Sequence, residues 1–158
     1  MFAESVPVAL RALERAQVLH GKTPPDAFAA RLAPGMFDVR TQFFAVAGFA
    51  LRATYPLAGR DVPVLQGDAG ARLAQVQSWL SQLTEADFTG AEQRVITHRA
   101  GFADLEQPAA VYLRDFALPN LWFHLSMAYA GLRAAGVALG KADFDGLHAY
   151  PDGFTFDD

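Results

Sequence analysis

The stretch from Phe116 to Arg133, FALPNLWFHLSMAYAGLR, decides the fold that this chain is predicted to adopt. Apolar residues cover nearly every side of the helix that it would form, which is typical of a helix buried all round. Pro119 lies inside that pattern, and a helix-interior proline removes one backbone donor, so a kink is expected there. Asn120 and His124 lie one turn apart beside the expected kink and share a face. This face is the first candidate for a functional site.

Apolar residues at helical spacing predict three earlier helices and set the bounds of the fourth. The predicted helices cover residues 6–20 with Ser5 as N-cap, residues 36–55, a segment that starts at the N-cap Asp68 and carries its apolar stripe to Leu83, and residues 108–135. Val95, Ile96 and Thr97, followed by Gly101, predict a short β-hairpin before the last helix. Residues 137–158 are expected to form an irregular C-terminal tail. The expected fold is a single all-α domain over residues 1–158, a four-helix bundle with a hairpin insert.

The composition restricts the partners that this protein can have. Hydrophobic residues make up 52% of the chain and charged residues 19%, which exceeds what a small monomer needs for its core and favours a homodimer. Trp122 is the expected residue of that dimer seam. The net charge of −4 without a basic cluster argues against a nucleic-acid partner. The chain has no cysteine, which excludes disulfides and thiolate sites.

Polar or charged residues also break every apolar segment before it reaches about eighteen residues, so neither a signal peptide nor a membrane-spanning helix is predicted. Glu4, Arg11, Glu14 and Arg15 do this within the first helix. We therefore expect a cytoplasmic protein without a membrane partner.

The polar residues nearest to His124 define the predicted site. No two of the four histidines have the i, i+3 or i+4 spacing of a zinc site within one helix. His124 is either a ligand or general base, or a hydrogen-bonded histidine in an apolar core. Asp38 and Gln42 lie one turn apart at the start of the second helix and are expected to complete a pocket around it. Asp38, Gln42, Asn120 and His124 are the predicted ligand-binding residues, and no catalytic residue is predicted.

Several motifs occur in an order that resembles a known family. They are Ser5–Val8, Arg31–Pro34 with Met36 and Phe37, Phe116–Asn120 followed by Phe123 and His124, Ala128 with Tyr129, and Gly140 with Lys141. This set resembles an uncharacterised bacterial family among the DinB/YfiT-like four-helix bundles. The resemblance implies an up-down-down-up bundle that is commonly homodimeric.

In the wider superfamily, three histidines bind a divalent metal, and some members are thiol-dependent transferases or metal-dependent hydrolases. Only His124 of this chain matches that ligand set, since the second helix offers Asp38 and Gln42 and the earlier half of the fourth offers Asp115. A three-histidine centre cannot be assembled from these helices.

Two functions follow as expectations. The first is a homodimeric bundle that binds a small apolar or amphipathic molecule, or acts through its dimer, with a degenerate metal site and no bound cofactor. The alternative is an enzyme that depends on a divalent metal such as Zn or Ni, of the thiol transferase or hydrolase type. Its metal would be held by His124 together with Asp38, Gln42 or Asp115.

Overall fold

The computed structural model describes residues 1–151 and residue 154 of the chain. Its α-helices and strands are α1 (Phe2–Gly21), α2 (Val39–Arg52), α3 (Ala69–Leu80), β1 (Val95–Ala100), β2 (Ala103–Pro108), α4 (Ala109–Val111), α5 (Leu118–Ala134) and α6 (Lys141–Asp145). Three short 3-10 helices cover Pro25–Ala29, Glu85–Phe88 and Ala91–Gln93, and a π-helix at Tyr112–Ala117 joins α4 to α5. The predicted mostly helical fold with one hairpin is confirmed.

Two aspartates fix the starts of the second and third helices. Asp68 accepts a hydrogen bond from the Ala71 N–H at 2.8 Å, so the predicted cap of α3 is confirmed. Asp38 accepts in the same way from the Thr41 N–H, and α2 therefore begins at Val39 rather than at residue 36. Phe37, which lies within the helix predicted over residues 36–55, precedes this cap and is 56% exposed. That part of the prediction was wrong because the helix begins only after the Asp38 cap, which leaves Phe37 outside it.

The first helix starts earlier than expected. Ser5 is buried inside α1, and its hydroxyl donates to the Met1 carbonyl at 2.7 Å instead of capping the helix. The helix consequently extends to Phe2, whose ring packs edge-on against Phe88. Ser5 therefore supports the first turn from within.

The four long helices share one core. Helix α1 packs against α2, α3 and α5, while α2 packs against α3 and α5. Large, fully buried side chains come from all four helices: Leu13, Leu19, Phe43, Leu51, Leu73, Leu80, Leu121, Leu125 and Leu132. Many alanines lie between them, which lets the helix axes approach closely. Within the described ranges, no helix is both long enough and apolar enough to cross a membrane.

The hairpin is closed by a two-residue turn and held against the last helix. Strands β1 and β2 pair antiparallel from Val95 opposite Pro108 to Ala100 opposite Ala103. Gly101 takes a positive φ of 61° at the turn, which a glycine adopts without strain. The His98 ring lies between the hairpin and the π-helix, with centroid distances of 4.8 Å to Tyr112 and 4.2 Å to Phe116. The hairpin therefore lies over the start of the last helix.

The segment after α5 differs from the expected irregular tail, because it contains the short helix α6. Asp143 accepts from the Gly140 N–H at 2.8 Å and so closes the first turn of α6. Its other oxygen pairs with the Lys22 ammonium at 2.7 Å, which ties α6 to α1. Phe144 packs against Trp122 and Tyr129. The last part of the predicted tail, residues 152, 153 and 155–158, lies outside the described residues.

Candidate functional site

The helix geometry changes just before the residues predicted to form a site. Tyr112–Ala117 is a π-helix, and the Leu118 N–H donates to the Leu113 carbonyl, five residues back. Pro119 follows directly and has no N–H to donate, so the regular α-helical hydrogen bonding cannot run through this point. The break predicted from Pro119 thus takes the form of a π-helix one turn earlier. π-helical turns within α-helices often occur at functional sites.

The structure brings His124 and Gln42 together across helices α5 and α2. The distance from His124 Nδ1 to Gln42 Oε1 is 2.7 Å, and the two side chains are 8% and 4% exposed. The imidazole lies between two phenyl rings, with centroids 5.3 Å from Phe49 and 6.3 Å from Phe37 and interplanar angles of 21° and 18°. Phe123 meets its edge at 5.1 Å. His124 is therefore held by one hydrogen bond and two stacked faces.

These contacts determine the protonation of His124. Burial lowers the pKa of the imidazole below its ordinary value of 6.5, and the positive charge of Arg52 lowers it further. The ring is consequently neutral at pH 7. Because Gln42 Oε1 accepts at Nδ1, the ring proton lies on Nδ1, and Nε2 keeps a lone pair. Among the described residues, Nε2 has no hydrogen-bond partner.

The surroundings of His124 do not fit a divalent metal. In the part of the chain that the structure describes, no group of three His, Cys, Asp or Glu side chains is arranged to hold a metal ion. Asp38 is engaged in capping α2 and pairs with Arg31 at 3.4 Å. Asp115 forms a two-point pair with Arg114, at 2.7 and 2.9 Å. The neighbours of His124 are phenyl rings and one amide, which are poor ligands for Zn or Ni.

Near these residues lies a cavity of about 500 Å³, which we call the hairpin cavity. It lies between α2, the hairpin turn and the start of the last helix, and is lined by Phe49, Arg52, Arg99, Ala100, Gly101, Phe116 and Asn120. Asn120 donates from Nδ2 to the Phe116 carbonyl at 2.8 Å. Phe49 also packs edge-on against Phe116 at 5.8 Å. Phe49 thus separates the buried Gln42–His124 pair from the cavity.

Arginine side chains supply the charge of the hairpin cavity. The Arg52 guanidinium lies 5.0 Å from the centroid of the Phe49 ring. The Arg52 carbonyl accepts from the Tyr112 hydroxyl at 3.0 Å, which joins the end of α2 to the π-helix. Burial raises the pKa of Tyr112 to about 12, so this hydroxyl stays a donor at all physiological pH values. Arg99 enters from the hairpin and pairs with Asp104 at 3.7 Å.

Of the four predicted ligand-binding residues, the structure places Asn120 on the cavity wall, Gln42 and His124 behind Phe49, and Asp38 at the cap of α2. Sequence reasoning missed Phe49, Arg52 and Arg99. An arginine that ends a strongly apolar helix, and another directly before a hairpin turn, were the available signals. Neither signal identifies a site until the fold brings the two segments together.

Comparison with known proteins places this chain among relatives. Residues 1–145 match the family model described as Domain of unknown function (DUF1993). The fold is similar to the crystal structure of a DinB family member protein from Shewanella denitrificans, with a TM-score of 0.79 and 24% sequence identity over 95% of this chain and 93% of that one. No curated protein matches the sequence. The structural likeness shows a DinB-like fold, and the family match covers nearly the whole chain. The chain therefore belongs to the DUF1993 family, whose function is unknown.

Proposed function

We propose that this protein binds a small molecule in the hairpin cavity and that binding requires no metal. The observation that carries this proposal is the cavity itself, which combines two phenyl rings with polar groups beside a π-helix. Ligand sites typically consist of an apolar concave surface with a few polar groups that orient the ligand. The sequence predicted an apolar or amphipathic ligand, and this arrangement favours the amphipathic one. Among the described residues, no group of three His, Cys, Asp or Glu side chains is arranged to hold the metal of the alternative enzyme.

Each wall of the cavity has a distinct role in this proposal. Phe49 and Phe116 form the apolar wall of the cavity, beside which the apolar part of a ligand lies. Asn120 uses its Nδ2 group within its own helix, so its Oδ1 atom serves as the acceptor for a ligand donor. The Gln42–His124 pair fixes the orientation of Phe49 from behind through ring stacking. His124 acts here as a positioning residue.

A cavity-filling substitution tests the proposal. Asn120→Trp places an indole in the cavity from a helix, whereas Ala74→Trp places the same group on an exposed position of α3. We use 2-naphthoate and its neutral amide, 2-naphthamide, as probes in calorimetric titrations. At least one probe should bind to the wild-type protein and to Ala74→Trp but not to Asn120→Trp. If neither probe binds, or if Asn120→Trp binds as well as the wild type, the proposal is wrong.

Assembly completes the proposal. We propose that the four long helices run up-down-down-up and that two copies associate through the surface formed by Phe37 and Phe123. Both phenyl rings are about half exposed and both contact His124, so they form one continuous aromatic surface. The expected seam residue, Trp122, is partly covered by Phe144 of the same chain. Phe123 therefore replaces Trp122 as the proposed centre of the interface.

A further inference from the structure

The arginine at the end of α2 is a charge without a partner. Within residues 1–151 and 154, the Arg52 guanidinium makes no hydrogen bond and no ion pair. The guanidinium instead lies against the Phe49 ring, with its central carbon 5.0 Å from the ring centroid. Three other exposed arginines pair with carboxylates: Arg31 with Asp38, Arg60 with Asp87 and Arg114 with Asp115. Arg52 therefore presents free donors at the edge of the hairpin cavity.

Arg99 adds a second positive charge from the hairpin side. Its ion pair with Asp104 is long, at 3.7 Å, and the two side chains are 63% and 81% exposed. An exposed pair of this kind contributes little stability, so an incoming anion can compete for the guanidinium. No acidic side chain is among the described residues that line the cavity. In a protein with a net charge of −4, this concentration of positive charge is local to the cavity.

Taken with the aromatic wall, these charges define the class of ligand. We infer that the hairpin cavity takes a small organic anion with a flat apolar portion, such as an aromatic carboxylate. Its carboxylate lies between Arg52 and Arg99, and its ring lies in the apolar part of the cavity beside Phe49 and Phe116. This inference rests on the proposed function and specifies it.

The two parts of the ligand depend on different protein groups. Guanidinium groups bind carboxylates through paired, charge-assisted hydrogen bonds, which are stronger than neutral ones. Phenyl rings supply dispersion and apolar burial for a flat group but give no preference for charge. A neutral analogue should therefore keep the apolar contribution of the phenyl rings and lose the charge-assisted hydrogen bonds to the guanidinium groups. Inorganic phosphate should form charge-assisted hydrogen bonds with the guanidinium groups but gain nothing from the phenyl rings.

The test compares charged and neutral probes on matched arginine variants. Arg52 and Arg40 both lie on α2, are both exposed, and both place their guanidinium against a phenyl ring, but Arg40 lines a different cavity. The variants Arg52→Gln, Arg99→Gln and Arg40→Gln are titrated calorimetrically with 2-naphthoate, 2-naphthamide and inorganic phosphate. Circular dichroism confirms that each variant is folded.

We expect 2-naphthoate to bind the wild-type protein roughly 10- to 100-fold more tightly than 2-naphthamide. Arg52→Gln should remove most of this preference, Arg99→Gln should reduce it, and Arg40→Gln should leave it unchanged. Equal affinity for the acid and the amide would overturn the anion inference while leaving the proposed binding function intact. Binding of phosphate as tight as that of 2-naphthoate would overturn the assignment of an organic ligand. Failure of all three probes would contradict the proposed function as well.

Discussion

At the scale of single residues, the hydrogen bond between Gln42 and His124 should contribute measurably to stability. Gln42→Met keeps the approximate shape of the side chain but removes the acceptor, which leaves the buried Nδ1–H without a partner. Such a loss costs about 1–3 kcal/mol. Urea denaturation at pH 8 measures the change in the free energy of unfolding.

A double variant provides the control for this prediction. Gln42→Met combined with His124→Phe removes both polar partners, so it should be more stable than the sum of the two single changes predicts. If the loss of unfolding free energy in the double variant equals the sum of the losses in the two single variants, the side chains do not interact directly.

The pH dependence of stability should also depend on His124. Its pKa in the folded protein lies below the ordinary 6.5, so the unfolded chain binds the proton more readily. The free energy of unfolding should therefore be fully retained above pH 6.5 and should fall as the pH drops below it, with a slope of at most about 1.4 kcal/mol per pH unit from this residue. Denaturation curves between pH 8 and pH 5 should show a smaller decline for His124→Gln than for the wild type. Equal declines would show that His124 has no such role.

At the scale of elements, the hairpin turn positions Arg99 and closes one side of the cavity. Gly101 has a φ of 61°, a value that a β-branched residue adopts only with strain. Gly101→Val should loosen the turn, accelerate amide hydrogen exchange in β1 and β2, and weaken binding of 2-naphthoate. Gly101→Asn is the matched control for the backbone, because asparagine tolerates positive φ, and its β1 and β2 amides should exchange nearly as slowly as those of the wild type. A Gly101→Val hairpin with unchanged exchange rates would contradict this account.

The elements also show what the sequence can and cannot predict. Local chemistry was enough to predict the Asp68 cap, the hairpin and the extent of the last helix. Caps, β-branched residues and apolar periodicity each act over a few neighbouring positions. The π-helix was not predicted, because only its location before Pro119 hints at it. Helix α6 was missed because its stability comes from packing on α1, with Lys22 more than a hundred positions away in the chain.

The candidate site also has residues that the local sequence can predict and residues that only the tertiary structure reveals. His124 and Asn120 could be selected because polar side chains are conspicuous in an apolar helix. Arg52 and Arg99 could not, because an arginine at a helix end or beside a turn is ordinary until the tertiary structure brings it to a cavity. The sequence position of Asp38 was compatible both with an N-cap and with a place in a site, and the structure shows the N-cap.

At the scale of the whole molecule, the aromatic surface of Phe37 and Phe123 is proposed to join two copies. Sedimentation at micromolar concentration should show a dimer for the wild type and a monomer for Phe123→Glu, because a buried carboxylate without a partner is costly. Phe102→Glu alters the hairpin turn, where the ring is 96% exposed, and should leave the dimer intact. A monomeric wild-type protein, or dissociation caused by Phe102→Glu instead, would contradict this interface.

The central claim concerns where a small molecule binds, and an NMR titration tests it most directly. Increasing amounts of 2-naphthoate are added to the isotopically labelled protein, and the chemical shifts of its backbone and side-chain amides are followed. We predict the largest changes at residues 99–101, at Phe49 and Arg52, and at the side-chain amide of Asn120. Two results would contradict the account: shift changes centred on the other cavity, which is lined by His20, Phe28 and Arg40, or no shift changes at any concentration.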